Sequence, residues 1–331
     1  MSYYPLGGRA ALTIGEQGFV GNNGIMTHIA DRRTIVLGSL SLAGISLVTA
    51  RAGRASQVAT GQGQASTGLT SELVLADGRP VTIWSWLPTH RRPRATILFS
   101  HGAASAPWKY EHLIQHWVAA GYMVHAPLHV DSTDHPERDR FSPAASWPAR
   151  IADMRALAEH HGRERYVAAG HSYGGLMALA LGGAAPTVPP GIATPLRDPR
   201  VQAVVAFSPP APIPGFVDAA AFAPLAVPAL IQTGTDDMPP GTSDWRGHLV
   251  AWEAPAAGGN RYALVLDGVD HYFKGAICRP ELPGPPQLAE LAQAAAISIE
   301  LIEGFARNRR RARRALDARM SASGPVQLLR R

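Results

Sequence analysis

From residue 71 onward, short apolar runs alternate with longer amphipathic ones. Runs at 71–76, 81–86, 95–100, 122–126, 166–169, 201–207, 229–233 and 262–266 are bounded by Gly, Pro and polar residues, and their length predicts strands. Between them, 110–120, 148–160, 174–181 and the Ala-rich stretch 286–307 predict helices. Strands that are apolar throughout, separated by helices, imply a mainly parallel sheet covered on both faces. The expected class is therefore α/β, with an eight-stranded type of sheet and its working residues in the loops after strand ends. Two connections, 184–200 and 208–228, are rich in Pro and Ala and longer than a crossover needs. They read equally as a pocket wall or lid and as inert surface.

A chain of 331 residues accommodates one catalytic domain, expected at 71–306, with appended ends. Residues 53–70 are small, polar and unpatterned, the composition of a linker. Ahead of them, Arg32-Arg33 precedes a nearly uncharged stretch through Thr49 and then Ala50-Arg51-Ala52. Paired arginines, a moderately apolar core and a small-x-small exit predict that residues 1–52 hold a twin-arginine export signal, with Met26 a natural start. A periplasmic or secreted location follows. The alternative is a membrane anchor through 34–50, for which the Gly- and Ser-interrupted stretch is short.

The formal net charge is +6, and its location matters more than its total. Nine arginines against the single Asp317 give residues 307–331 a charge of +8, leaving about −2 elsewhere. A nearly neutral body argues against a nucleic-acid partner. The Arg-rich tail is expected either to be a solvated helix extension or to make weak contact with an anionic surface. Cys278 is the one cysteine, so an intrachain disulfide is excluded and a small buried apolar role is expected. Oligomeric state is not encoded in any of these patterns.

The chemistry concentrates in four places. Gly170-His171-Ser172-Tyr173-Gly174 lies between an expected strand and an expected helix, and a sharp turn there would present the Ser172 hydroxyl at a helix amino end. Serine is a weak nucleophile until a base takes its proton, which calls for a histidine held by a carboxylate. Gly234-Thr235-Asp236-Asp237 ends a strand, and the Gly-x-x-Asp spacing favours Asp237 over Asp236 as that carboxylate. Of 13 histidines, His271 alone follows the last expected strand and is the expected base; His248 is its rival. His171 reads as a packing residue. Backbone N–H groups of Ala103 and Tyr173 are the expected oxyanion donors. Trp108, Tyr110 and Phe273 are candidate pocket residues. His125, His129 and His135 with Asp131 and Asp134 lack any metalloenzyme spacing, so no metal is expected.

Together, Phe99-Ser100-His101-Gly102-Ala103, the Ser172 segment with Gly175, Gly234-Thr235-Asp236-Asp237 and Asp270-His271-Tyr272-Phe273 resemble the α/β-hydrolase superfamily over residues 71–306. Within it, the chain is most similar to the bacterial branch related to dienelactone hydrolases and platelet-activating-factor acetylhydrolases. It differs from dienelactone hydrolases in carrying Ser172 where they carry cysteine, which turns the expectation toward ordinary carboxylic esters. The resemblance implies an acyl-enzyme, no cofactor, and a small-molecule ester as partner. A peptidase or acyltransferase is the alternative on the same fold, and a non-catalytic binding protein the alternative of another class.

Overall fold

The computed structural model describes residues 67–331 apart from 90, 91, 142 and 163. The expected export signal and most of the linker lie outside the described residues. Nine strands form one sheet: β1 (Leu69–Val74), β2 (Pro80–Trp86), β3 (Thr96–Ser100), β4 (Met123–Pro127), β5 (Tyr166–His171), β6 (Val201–Phe207), β7 (Ala229–Gly234), β8 (Arg261–Leu266) and β9 (Val326–Arg330). Their spatial order is β1-β2-β4-β3-β5-β6-β7-β8-β9. From β4 to β8 every pairing is parallel, while β1, β2 and β9 join antiparallel.

Helices α1 (Glu111–Ala119), α2 (Pro143–His161), α3 (Tyr173–Gly182), the single turn α4 (Val250–Glu253), α5 (Leu288–Leu301) and α6 (Arg310–Ala318) cover both faces. Alternation along each strand divides the core in two. Ile97, Phe99, Val205 and Phe207 pack with Trp117, Leu301 and Leu316 on one side. Leu98, Val204 and Ala206 pack with Trp147, Leu176 and Phe222 on the other. Each Val, Leu, Ile or Phe among them contributes roughly 1.5–3 kcal/mol on burial, and the parallel strands are held by two layers of them.

The expected strands are all present, with shifted ends; β1 starts at Leu69, two residues early. Helix α2 also begins a turn before the expected Pro148, which sits inside it. The principal correction is at the carboxyl end. Residues 307–331, read as an appendage, are part of the fold: α5 continues through a π-helical turn (Ile302–Ala306), α6 buries Leu316, and β9 pairs with β8 from Leu266↔Val326 to Tyr262↔Arg330. Leu328 is buried there. Several arginines serve this docking: Arg319 forks onto Glu300 at 2.8 Å, Arg330 reaches Asp317 at 2.6 Å, and Arg313 donates to the Gly304 carbonyl at 2.7 Å. Arg309, Arg310, Arg311 and Arg314 remain exposed.

Candidate active site

The carboxyl ends of β3, β5, β7 and β8 converge on one edge of the sheet. Strand β5 ends at His171 and α3 starts at Tyr173, leaving Ser172 alone in the turn with φ 53° and ψ −122°. For a residue with a Cβ this left-handed backbone is strained, and such strain persists only where the surroundings fix it. Glycines allow the fixing. A Cβ on Gly170 would lie 2.1 Å from the Gly174 carbonyl oxygen, and one on Gly174 would lie 1.9 Å from that of Ser100. The Ser172 N–H donates to the Phe207 carbonyl at 2.8 Å, which anchors the turn to β6.

Asp237, just beyond β7, is buried, whereas Asp236 is exposed. Its Oδ1 accepts from His271 Nδ1 at 2.7 Å, and its Oδ2 accepts from the Thr233 hydroxyl at 2.9 Å. With Nδ1 engaged, Nε2 is the nitrogen of His271 left for proton transfer. Burial pushes the Asp237 carboxyl up, but the close His248 ring and the hydrogen bond from His271 outweigh it, and the group stays ionised well below the usual carboxylate range. Burial lowers the His271 imidazole despite the opposing pull of Asp237.

His248, the rival base, stands on the same carboxylate. Its Nε2 lies 2.9 Å from Asp237 Oδ1, its Nδ1 donates to the Pro209 carbonyl at 2.6 Å, and its ring stacks 5.7 Å from that of His271. Unlike His271 it is buried. Among the described residues, Asp237, His248 and His271 are also those whose potential metal-ligand atoms converge, all within 4.8 Å.

His171 does more than pack. Its Nε2 donates to the His271 carbonyl at 2.9 Å, so its Nδ1 accepts from the Tyr110 hydroxyl at 2.9 Å, and Tyr110 in turn accepts from the Gly102 N–H at 2.8 Å. Burial lowers the His171 imidazole to about 4, which keeps it neutral and preserves these donor roles. One relay thus ties the loop after β3, the Ser172 turn and the His271 loop.

A second clamp holds the loop after β3 from beneath. Arg150, buried on α2, donates to the His101 carbonyl at 2.7 Å and the Gly102 carbonyl at 3.1 Å. Its fork is held by Asp131 at 2.9 Å on both oxygens. Because a trans peptide points its C=O and N–H oppositely, holding the Gly102 carbonyl orients the Ala103 N–H. The same guanidinium lies 4.7 Å over the Tyr173 ring, so it touches one expected oxyanion residue and the peptide that carries the N–H of the other. Nothing in the sequence around Arg150 signals this.

Beside the clamp is another Ser–His–Asp series. The Ser100 hydroxyl meets His129 Nε2 at 2.9 Å, His129 Nδ1 meets Asp153 at 2.7 Å, and Arg79 meets Asp153 at 2.6 Å. Ser100, His129 and Asp153 are each 0% exposed, so no substrate reaches Ser100 and the series braces β3, β4 and α2. The histidines and acids between 125 and 135 take separate partners: His125 binds Ser85, Asp131 binds Arg150 and Asp134 binds Lys109.

The three expected pocket residues are placed otherwise. Tyr110 and Phe273 are 0% exposed within the core, and Trp108 packs on Trp84 with ring centroids 4.9 Å apart. Aromatic residues close to strand ends were drawn into the core because burying their area outweighs exposing it to a cleft. Cys278 is buried as expected.

An α/β sheet with a strained serine between strand and helix, and a His–Asp pair carried by later strands, defines a class of site. The Alpha/beta hydrolase family model matches residues 97–328, and the chain belongs to that family. The match extends into β9, in agreement with the docked carboxyl end. No curated protein matches the chain significantly. Among solved structures, Thermogutta terrifontis esterase 2 phosphoramylated by tabun superposes with a TM-score of 0.52 at 16% identity, over 70% of this chain and 93% of that one. The propionate-bound form of that esterase gives 0.52 at 16% over the same shares. An alpha-beta serine hydrolase homologue from Coxiella burnetii gives 0.50 at 16% over 68% and 94%. At such distance these likenesses speak for the fold alone.

Proposed function

We propose that the protein is an exported carboxylic-ester hydrolase in which Ser172 is the nucleophile, His271 the general base and Asp237 its orienting carboxylate. The observation that carries this is the 2.7 Å His271–Asp237 hydrogen bond set on the strand edge that also bears the strained Ser172 turn. Ser172 Oγ attacks the ester carbonyl carbon while its proton passes to His271 Nε2. The oxyanion takes the N–H groups of Ala103 and Tyr173. Collapse expels the alcohol with the proton from His271, leaving an acyl-enzyme, and a water deprotonated by His271 releases the acid and restores Ser172. The side chains involved need no cofactor. Export rests on the sequence of residues 1–52, and weak anionic contact on the exposed arginines of α6.

The test is hydrolysis of a nitrophenyl ester series together with fluorophosphonate labelling. Labelling is expected at Ser172, and Ser172→Ala is expected to abolish it and lower kcat by at least about 10⁴-fold. Full activity in Ser172→Ala would sink the assignment.

A further inference from the structure

The two long connections that the sequence left open form a cavity of about 450 Å³, within the ~300–1,000 Å³ usual for small-molecule sites. Trp147, Tyr173, Thr187, Val188, Pro189 and Phe216 are among the residues lining it. The connections brace each other, Thr187 N–H donating to the Phe216 carbonyl at 2.8 Å and Ala185 N–H to that of Ala221 at 2.7 Å. Tyr173, on the cavity wall, directly follows Ser172 in the chain, so the wall is built on the same turn as the reacting hydroxyl.

The wall has a definite chemistry. Trp147 stacks on Tyr173 with centroids 5.4 Å apart at 29°, and Phe216 stands edge-on to Trp147 at 5.3 Å and 88°. Ring faces and edges set at these angles suit another planar ring. Among the described residues no charged side chain lines the cavity, and burial raises the Tyr173 phenol so that it stays neutral, which disfavours an ionic guest.

We infer that this cavity binds the aromatic portion of the ester, an uncharged planar ring. The inference rests on Ser172 being the nucleophile and adds the substrate class. Two arms test it on the full chain. The acid arm compares methyl 4-methoxybenzoate and methyl 4-ethylbenzoate with methyl acetate; the alcohol arm compares 4-methoxybenzyl and 4-ethylbenzyl acetates with ethyl acetate. In one arm the aryl ester is expected to exceed the aliphatic one at least tenfold in kcat/KM. Phe216→Ala, which opens the cavity, and Val188→Phe, which fills it, are each expected to lower that ratio at least fivefold. Equal aryl and aliphatic rates in both arms, or an unchanged ratio in Phe216→Ala and Val188→Phe, would overturn it. Should no ester turn over and fluorophosphonate fail to label Ser172, the ester reading falls separately. Calorimetric titration with 4-methoxybenzyl alcohol then decides the cavity: binding weakened at least tenfold by Val188→Phe supports it, and no saturable binding refutes it.

Discussion

Arg150 shows how far one side chain can govern a site without entering it. Its guanidinium orients the Gly102–Ala103 peptide and backs the Tyr173 ring. Lysine keeps the charge but lacks the planar fork that serves carbonyls and a carboxylate together. Arg150→Lys is therefore expected to lower kcat about 10- to 100-fold, toward the loss of one oxyanion donor, with a smaller change in KM. Binding of a boronate transition-state analogue should weaken in parallel. A purely structural Arg150 would lower Tm and leave kcat of the folded fraction and the boronate affinity unchanged. The placement of Ser172, Asp237 and His271 just past strand ends was legible in the sequence, because each sits at a fixed offset where local pattern determines position. Arg150 was not, since its carbonyl partners lie 48 and 49 residues away and meet it only when α2 packs on the sheet. His248 was legible as a rival but not as a neighbour on the same oxygen.

At the scale of elements, hydrophobic periodicity located every strand whose both faces are buried and missed β9, whose five residues are short and half exposed. The nine arginines around it drew the reading toward solvent, although charge on an amphipathic helix is compatible with a buried stripe such as Leu316. Removing residues 321–331 is expected to strip Leu328 from the core and bare the β8 backbone. Losing one buried leucine and several ladder hydrogen bonds amounts to roughly 3–6 kcal/mol, or on the order of 10 °C in Tm for a domain of this size. Thermal denaturation of the truncated protein checks this; a Tm within 2 °C of the full chain would show the strand to be ornamental. Contact with anionic vesicles is therefore better tested by replacing Arg309, Arg310, Arg311 and Arg314 with glutamine, which spares the strand.

For the whole molecule, buried imidazoles set the response to acid. Burial holds His101 and His129 well below their ordinary value, His125 at about 3 and His171 at about 4. The unfolded chain protonates all four near 6.5 while the native state does not, so the unfolded state binds more protons and stability falls as pH drops below ~6.5. Asp153 works the other way, because burial pushes it up to about 6; the native state gains its proton first, and its contribution grows as pH falls through 6. Near pH 5 the imidazoles outnumber the one opposing carboxyl, so the net effect of acid is destabilising. Tm is expected to fall steeply between pH 6.5 and 5, and a flat profile there would contradict the buried, neutral assignment. The pairing of β9 with β8 also bears on how the chain is made. As synthesis proceeds from the amino end, β8, which leads into the His271 loop, emerges about sixty residues before its outer neighbour. Until then the nascent sheet presents an open edge, so a ribosome stalled before residue 326 would release a polypeptide primed to stick to its copies.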